Sequence, residues 1–283
     1  MITVLLLYVQ PWVTNVIPPP PTPTPKFQGE AVKVTKVTPV EREDDHSWLL
    51  PGPTDDAAVV ALNREIDAAG GLGSRGGDRA MREFGAVEAR YSTVEVELEG
   101  NRAGPVRITD IRAVADCSEP LSGTYFDGSP QGGEKVVKIG FDLDSRSPVA
   151  QKMERRAGED EPRFAGPYFA DEKYSLHNGE QLTVRLTARA FNGFCEYRYE
   201  LELIVAGKPT TQLFPSKSDE PFRVSGFHVL RGYENLPPYA RSQNVDCTRY
   251  QSVYAGGFYQ ASQPDTPWVP SKDAEHRCTG QGG

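Results

Sequence analysis

The chain of 283 residues is poor in the side chains from which most catalytic and metal centres are built, with four cysteines and four histidines. Cys117, Cys195, Cys247 and Cys278 form no Cys-x-x-Cys pair, which argues against zinc ribbons and thioredoxin-like redox motifs. His46, His177 and His228 are scattered, and His276 beside Cys278 has no second pair at ligand spacing, so no metal site is expected. G-x-S-x-G and H-E-x-x-H are absent, and no cysteine comes with a plausible histidine base. No catalytic residue and no cofactor is therefore assigned. A basic surplus is missing too: the formal net charge is −8, and phosphate neutralisation needs the opposite sign, so nucleic acid is not an expected partner.

One long apolar run is present, from Ile2 to Ile17, and it is interrupted by Gln10, Pro11 and Asn15. A spanning helix needs roughly 20 apolar residues. No Lys or Arg precedes the run and no small-residue cleavage motif closes it, unlike an ordinary signal peptide. Residues 1–17 therefore read as a membrane segment or the remnant of a longer transmembrane helix, with Trp12 where an interfacial ring would sit. A short N-terminal strand or an apolar tail is the alternative. Pro18-Pro19-Pro20-Pro21-Thr22-Pro23-Thr24-Pro25 opens a stalk over 18–30, expected as an extended polyproline II rod rising ~3.1 Å per residue. The expected location is the cell membrane, crossed once, with the bulk of the chain outside the cytoplasm.

An even cysteine count fits two disulfides in an oxidising compartment. Spacing alone leaves three pairings open. Cys117–Cys195, within the strand-rich middle, and Cys247–Cys278, closing the tail, are favoured, and loop entropy assigns them on the order of 4.5 and 3.5 kcal/mol. Four reduced cysteines in a cytosolic protein is the alternative.

Residues 31–90 are expected to hold a strand (Ala31–Val37), a short helix and a Gly-rich linker. Thr54 caps the helix, Asp55 and Asp56 favour its N-terminus, Ala58, Leu62, Glu65, Ile66 and Ala69 lie at helical spacing, and Gly70-Gly71 ends it. Gly71-Leu72-Gly73-Ser74-Arg75-Gly76 matches G-x-G-x-x-G but follows a helix instead of a strand, so it reads as a linker and not a dinucleotide site. Glu41 to Asp45 is a solvated charge run.

From 91 to 230 the period becomes two. Val94, Val96 and Leu98 alternate with Glu95, Glu97 and Glu99; Val106, Ile108 and Ile111 form the next strand, and Val137, Ile139, Phe141 and Leu143 a third. Leu182, Val184, Leu186 and Ala188 lead to Asn192-Gly193, after which Cys195, Tyr197, Tyr199, Leu201, Leu203 and Val205 alternate. Asn-Gly between such runs is a hairpin signal. With Asn178-Gly179 before it and Gly207-Lys208 after it, a four-stranded meander is expected within an antiparallel β-sandwich. An immunoglobulin-like architecture would put Cys117–Cys195 between the sheets, although no Trp lies between those cysteines and Tyr197 falls after Cys195, not before it.

Asp142 and Asp144 share one strand face and form a candidate carboxylate pair, or simply its wet side. Glu196, Arg198, Glu200 and Glu202 read as a solvated face. In the loop-rich segment 231–283, Tyr250, Tyr254, Phe258, Tyr259 and Trp268 form a candidate binding surface for a glycan or a protein; alternatively, these rings cover the end of the sandwich.

Arg outnumbers Lys about two to one. With the apolar start, the Pro/Thr stalk, the strand ending at Cys117, Ile139-Gly140-Phe141-Asp142-Leu143-Asp144 and Pro221-Phe222-Arg223-Val224-Ser225-Gly226, the chain resembles membrane-anchored extracytoplasmic proteins of Streptomyces-like actinobacteria. The resemblance implies a location and an architecture and carries over no catalytic residue. The expected fold is mainly β, a sandwich with one short helix and a disulfide-closed tail. The expected function is non-catalytic binding to a protein partner or cell-wall polymer. A cell-wall-directed enzyme with a loop-built carboxylate site, or a structural subunit of a surface assembly, are the alternatives.

Overall fold

The computed structural model describes residues 27–40, 46–128, 138–154, 162–236, 238–256, 267–273 and 278. The apolar segment 1–17, the Pro/Thr run, Glu41 to Asp45, Phe258, Tyr259 and His276 lie outside the described residues. In chain order come β1 (Val32–Pro39), β2 (Trp48–Leu50), α1 (Asp56–Ala68), α2 (Arg75–Glu83), β3 (Val87–Glu88) and β4 (Tyr91–Gly100). β5 (Val106–Ser118), β6 (Thr124–Gly128), β7 (Lys138–Asp142), β8 (Gln151–Glu154) and β9 (Arg163–Pro167) follow. Then come β10 (Tyr174–Leu176), β11 (Gln181–Arg189), β12 (Phe194–Val205), β13 (Lys208–Phe214) and β14 (Phe222–Ser225). The tail adds α3 (Pro238–Ser242), β15 (Ser252–Gly256) and β16 (Val269–Pro270).

Two sheets make the sandwich. One has the order β1-β4-β11-β7-β8-β9; the other runs β10-β5-β12-β13, with β14 pairing the start of β12. The inward residues are those marked by the alternation: Val94, Val96 and Leu98 of β4 and Tyr197, Tyr199, Leu201 and Leu203 of β12 are all buried in one core. The outward glutamates of β4 are neutralised across the sheet, by Lys33 on Glu99 (3.4 Å), Lys36 on Glu97 (3.3 Å) and Arg185 on Glu95 (3.1 Å). Such exposed pairs contribute about 0–1 kcal/mol each. The uneven spacing of Ile108 and Ile111, both buried, comes from a bulge. β5 gains a residue at Thr109, between Ile108 opposite Leu203 and Asp110 opposite Glu202, and the extra residue restores the inward side of the strand.

The meander does not form. β11 lies in the first sheet and β12 in the second, so Asn192-Gly193 turns a corner between sheets. Neither residue has positive φ. The corner is held instead by Asp144, whose carboxylate accepts the N–H groups of Phe191 (3.0 Å) and Asn192 (3.1 Å). A Cβ on Gly193 would stand 2.5 Å from the carbonyl oxygen of Ser118. Asn178-Gly179 likewise joins β10 of the second sheet to β11 of the first. The hairpin of this stretch is β12–β13, closed between Val205 and Lys208 by Ala206 (φ 48°) and Gly207 (φ 78°). The sandwich is also mixed, because β7 pairs β11 in parallel.

Cys117–Cys195 and Cys247–Cys278 are both formed. The first is not an inter-sheet bridge. Cys117 and Cys195 are direct cross-strand partners of β5 and β12, so the bond staples two neighbours within one sheet.

A third sheet, β16-β15-β6-β2-β3, is assembled from five separate chain segments. One face packs Trp48, Leu50, Phe126 and Tyr254 against Val59, Leu62 and Ile66 of α1 and Met81 of α2. The other packs Leu49 and Tyr125 against Phe227, Val245 and Tyr250 of the tail, beside Cys247–Cys278. Asp55, not Thr54, caps α1, accepting the Ala58 N–H at 2.8 Å. The segment expected to be a linker holds α2, capped by Ser74 on the Gly77 N–H at 3.0 Å. Its glycines let the helices meet closely: a Cβ on Gly76 would fall 2.1 Å from the Ala69 carbonyl oxygen.

Candidate functional site

A cavity of about 230 Å³ opens where the sandwich meets the helical layer, between the end of β1, the region from α2 to β3, the start of β4, and β14. Val37, Pro39, Ala86, Val87, Val94, Pro221 and Phe222 give it apolar walls, and Arg82, Glu88, Ser92, Thr93 and Arg223 complete its lining. Pairing places these groups: Pro39 lies opposite Val94 and Val37 opposite Val96, with Val37 39% exposed at the rim. Glu88 is buried, and its Oε1 accepts from Arg82 Nη2 at 2.5 Å. The Arg82 guanidinium also lies over Trp48, 5.5 Å from the ring centre, which ties the helical layer to the cavity.

Behind the cavity stand Tyr197 and Tyr199, both fully buried. The Tyr197 hydroxyl lies beside Ser92 and that of Tyr199 beside Tyr197, yet neither makes an aligned hydrogen bond. Burial pushes both phenols above their ordinary range. The lining offers the Ser92 and Thr93 hydroxyls beside the Arg82–Glu88 ion pair, in apolar walls. It can recognise a polar group on a small apolar body. Among the described residues no His, Cys, Asp or Glu cluster could hold a metal ion.

No family model, curated protein or solved structure matches this chain. Function therefore rests on the residues themselves.

The expected tail surface is not a surface where it is described. Tyr254 is stacked on Phe126 at 5.5 Å and donates to Asp56 Oδ1 at 2.8 Å. Trp268 packs on Phe126 at 5.2 Å while its backbone exchanges hydrogen bonds with the Asn63 amide at 3.0 and 2.8 Å. Tyr250 lies 5.0 Å from Tyr125 in the opposite core. These three rings are buried because the third sheet needs covering on both faces.

The carboxylate pair is separated by its partners. Asp142 Oδ2 accepts from Arg189 at 3.0 Å, with that guanidinium 4.1 Å from Phe164 and 4.9 Å from Phe191. Asp144 is occupied at the corner, where burial holds its pKa above the usual carboxylate value and the Phe191 and Asn192 N–H groups pull it back. His228 is buried against Tyr250, and burial lowers its pKa, with Arg249 adding to the shift.

A second cluster fixes where the chain enters the fold. Asn101 Nδ2 donates to the carbonyls of Gln28 (3.0 Å) and Glu30 (2.9 Å). Arg102 donates to those of Gly29 (2.7 Å) and Glu30 (3.0 Å). Gln212 accepts from the N–H of Val32 and donates to its carbonyl. Sequence reading passed over these residues and over Glu88 and Ser92. The available signal was polar identity at an inward position: Gln212 two before Phe214, and Glu88 between Val87 and Ala89.

Proposed function

We propose that the chain is a non-catalytic binding protein of the cell exterior, tethered through its N-terminal segment and contacting a protein partner or cell-wall polymer. The observation that carries this reading is the pairing of all four cysteines, which leaves no free thiol. Stable structural disulfides belong to oxidising compartments. The clamp of Asn101, Arg102 and Gln212 on residues 28–32 supports the same reading, since a domain on a spacer gains from a fixed mounting point. Among the described residues no helix is long and apolar enough to cross a membrane; the proposed tether is segment 1–17, which lies outside the described residues. Partner contact falls to groups such as Tyr233 and Leu236, exposed together on the turn after β14.

Two measurements test the reading. Protein taken from its native host is alkylated without reduction and weighed intact: no labelled cysteine is expected, and four labelled cysteines overturn the location. Purified protein is then sedimented with isolated cell walls and cross-linked on intact host cells. Retention on walls or one discrete cross-linked partner is expected; recovery of the free protein in both assays overturns the binding role.

A further inference from the structure

The cavity at the join of the two layers has the build of a small-molecule site, independent of any partner on the outer surface. It lies between separately packed cores, where ligand pockets preferentially form. Its volume is about 230 Å³. An apolar cavity of about 150 Å³ takes benzene, whereas drug-sized ligands need about 300 Å³ or more. One ring with a short substituent is the matching size.

Its chemistry narrows the class. Val37, Val94 and Phe222 supply apolar contact. Glu88 is 5% exposed and Ser92 6%, so both polar groups are largely shielded from bulk water. The Arg82–Glu88 contact is between one guanidinium nitrogen and one carboxylate oxygen. The pair cancels in charge, while Arg82 keeps further N–H donors and Glu88 a second acceptor oxygen. A ligand carboxylate would add a second negative charge beside Glu88, with the solvent-exposed Arg223 as the other lining cation, and a ligand ammonium would leave Arg82 sharing the Glu88 carboxylate. Either carries a desolvation cost that the paired site does not repay. A neutral head that accepts and donates at once meets Arg82 or Ser92 with its oxygen and Glu88 with its N–H.

We propose that this cavity binds a small, neutral, monocyclic amide, its ring between Val37, Val94 and Phe222 and its amide group toward Arg82, Glu88 and Ser92.

The test is calorimetric titration of the full chain with benzamide, benzoate, benzylamine and toluene as probes. Benzamide is expected to bind tightest of the four. Val37→Trp, at an exposed rim position, should abolish that binding without shifting the melting temperature. Ser92→Ala removes one hydroxyl donor and should weaken benzamide about fivefold, the equivalent of about 1 kcal/mol, with no change for toluene. Tighter binding of benzoate or benzylamine overturns the neutral class, and equal binding of toluene overturns the role of the polar groups. Binding that survives Val37→Trp, or no heat from any probe, overturns the site.

Discussion

Gln212 pairs with Val32 as a neighbouring strand would. Its side-chain Nε2 donates to the Val32 carbonyl at 2.6 Å while its Oε1 accepts the Val32 N–H at 3.2 Å. Gln212 belongs to β13 of one sheet and Val32 to β1 of the other, so a single amide joins the sandwich layers at their edge. Both residues are buried.

Gln212→Ala should cost about 2–6 kcal/mol, because it leaves a buried donor and a buried acceptor unpaired at about 1–3 kcal/mol each. Gln212→Glu should be no milder at neutral pH, since a carboxylate would then face the Val32 carbonyl and Glu30, whose Oε2 now accepts from Gln212 at 2.9 Å. Urea unfolding reads both. A loss under about 0.5 kcal/mol for Gln212→Ala would remove the amide from any structural role.

The β12–β13 turn carries Ala206 at φ 48°, a left-handed conformation that costs a side chain with Cβ about 1–2 kcal/mol. Two-residue hairpin turns of this kind favour Asn-Gly. Ala206→Asn should raise stability by about 0.5–1 kcal/mol, and Ala206→Val should lower it. The check is the denaturation midpoint of both variants at unchanged slope.

Asp144 serves the corner. Asp144→Ala should destabilise the fold by about 1–3 kcal/mol, through the loss of two charge-assisted bonds to Phe191 and Asn192. Asp144→Asn keeps an acceptor and should lose less. If both variants melt with the wild type, the carboxylate is free for another task, and the enzyme reading regains its candidate.

His228 sets an acid limit. Burial, then the Arg249 charge, lowers its pKa in the folded state, with Glu119 and Asp246 pulling the other way. The unfolded chain, with His near 6.5, therefore binds more protons as pH falls below about 6.5, and stability should decline there. Asp110 and Asp144, both raised chiefly by burial, act with the opposite sign near the carboxylate range, at lower pH. Urea midpoints from pH 7.5 to 5.5 should fall for the wild type and stay flatter for His228→Asn. Parallel slopes would assign the acid sensitivity to other groups.

Much of the local structure was legible because it depends on neighbours in the chain. Alternation in 94–99 and 195–205 marked inward and outward residues, Asp55 to Ile66 marked a helix, and the Ile108–Ile111 irregularity is where the bulge falls. The four cysteines announced two disulfides. What alternation cannot carry is the partner of a strand. Asn192-Gly193 has the composition of a hairpin, yet β11 finds β4 and β7 while β12 finds β5, since each buries its inward face only by joining opposite layers. The third sheet draws on segments from Trp48 to Pro270, and no window of sequence contains it. Its need for cover on two faces buries Tyr250, Tyr254 and Trp268. By itself the sequence determined the strand faces, α1 and the presence of two disulfides. Only the tertiary structure decided the sheet partners, the cavity and the Gln212–Val32 join, because these depend on burial shared between residues far apart in the chain.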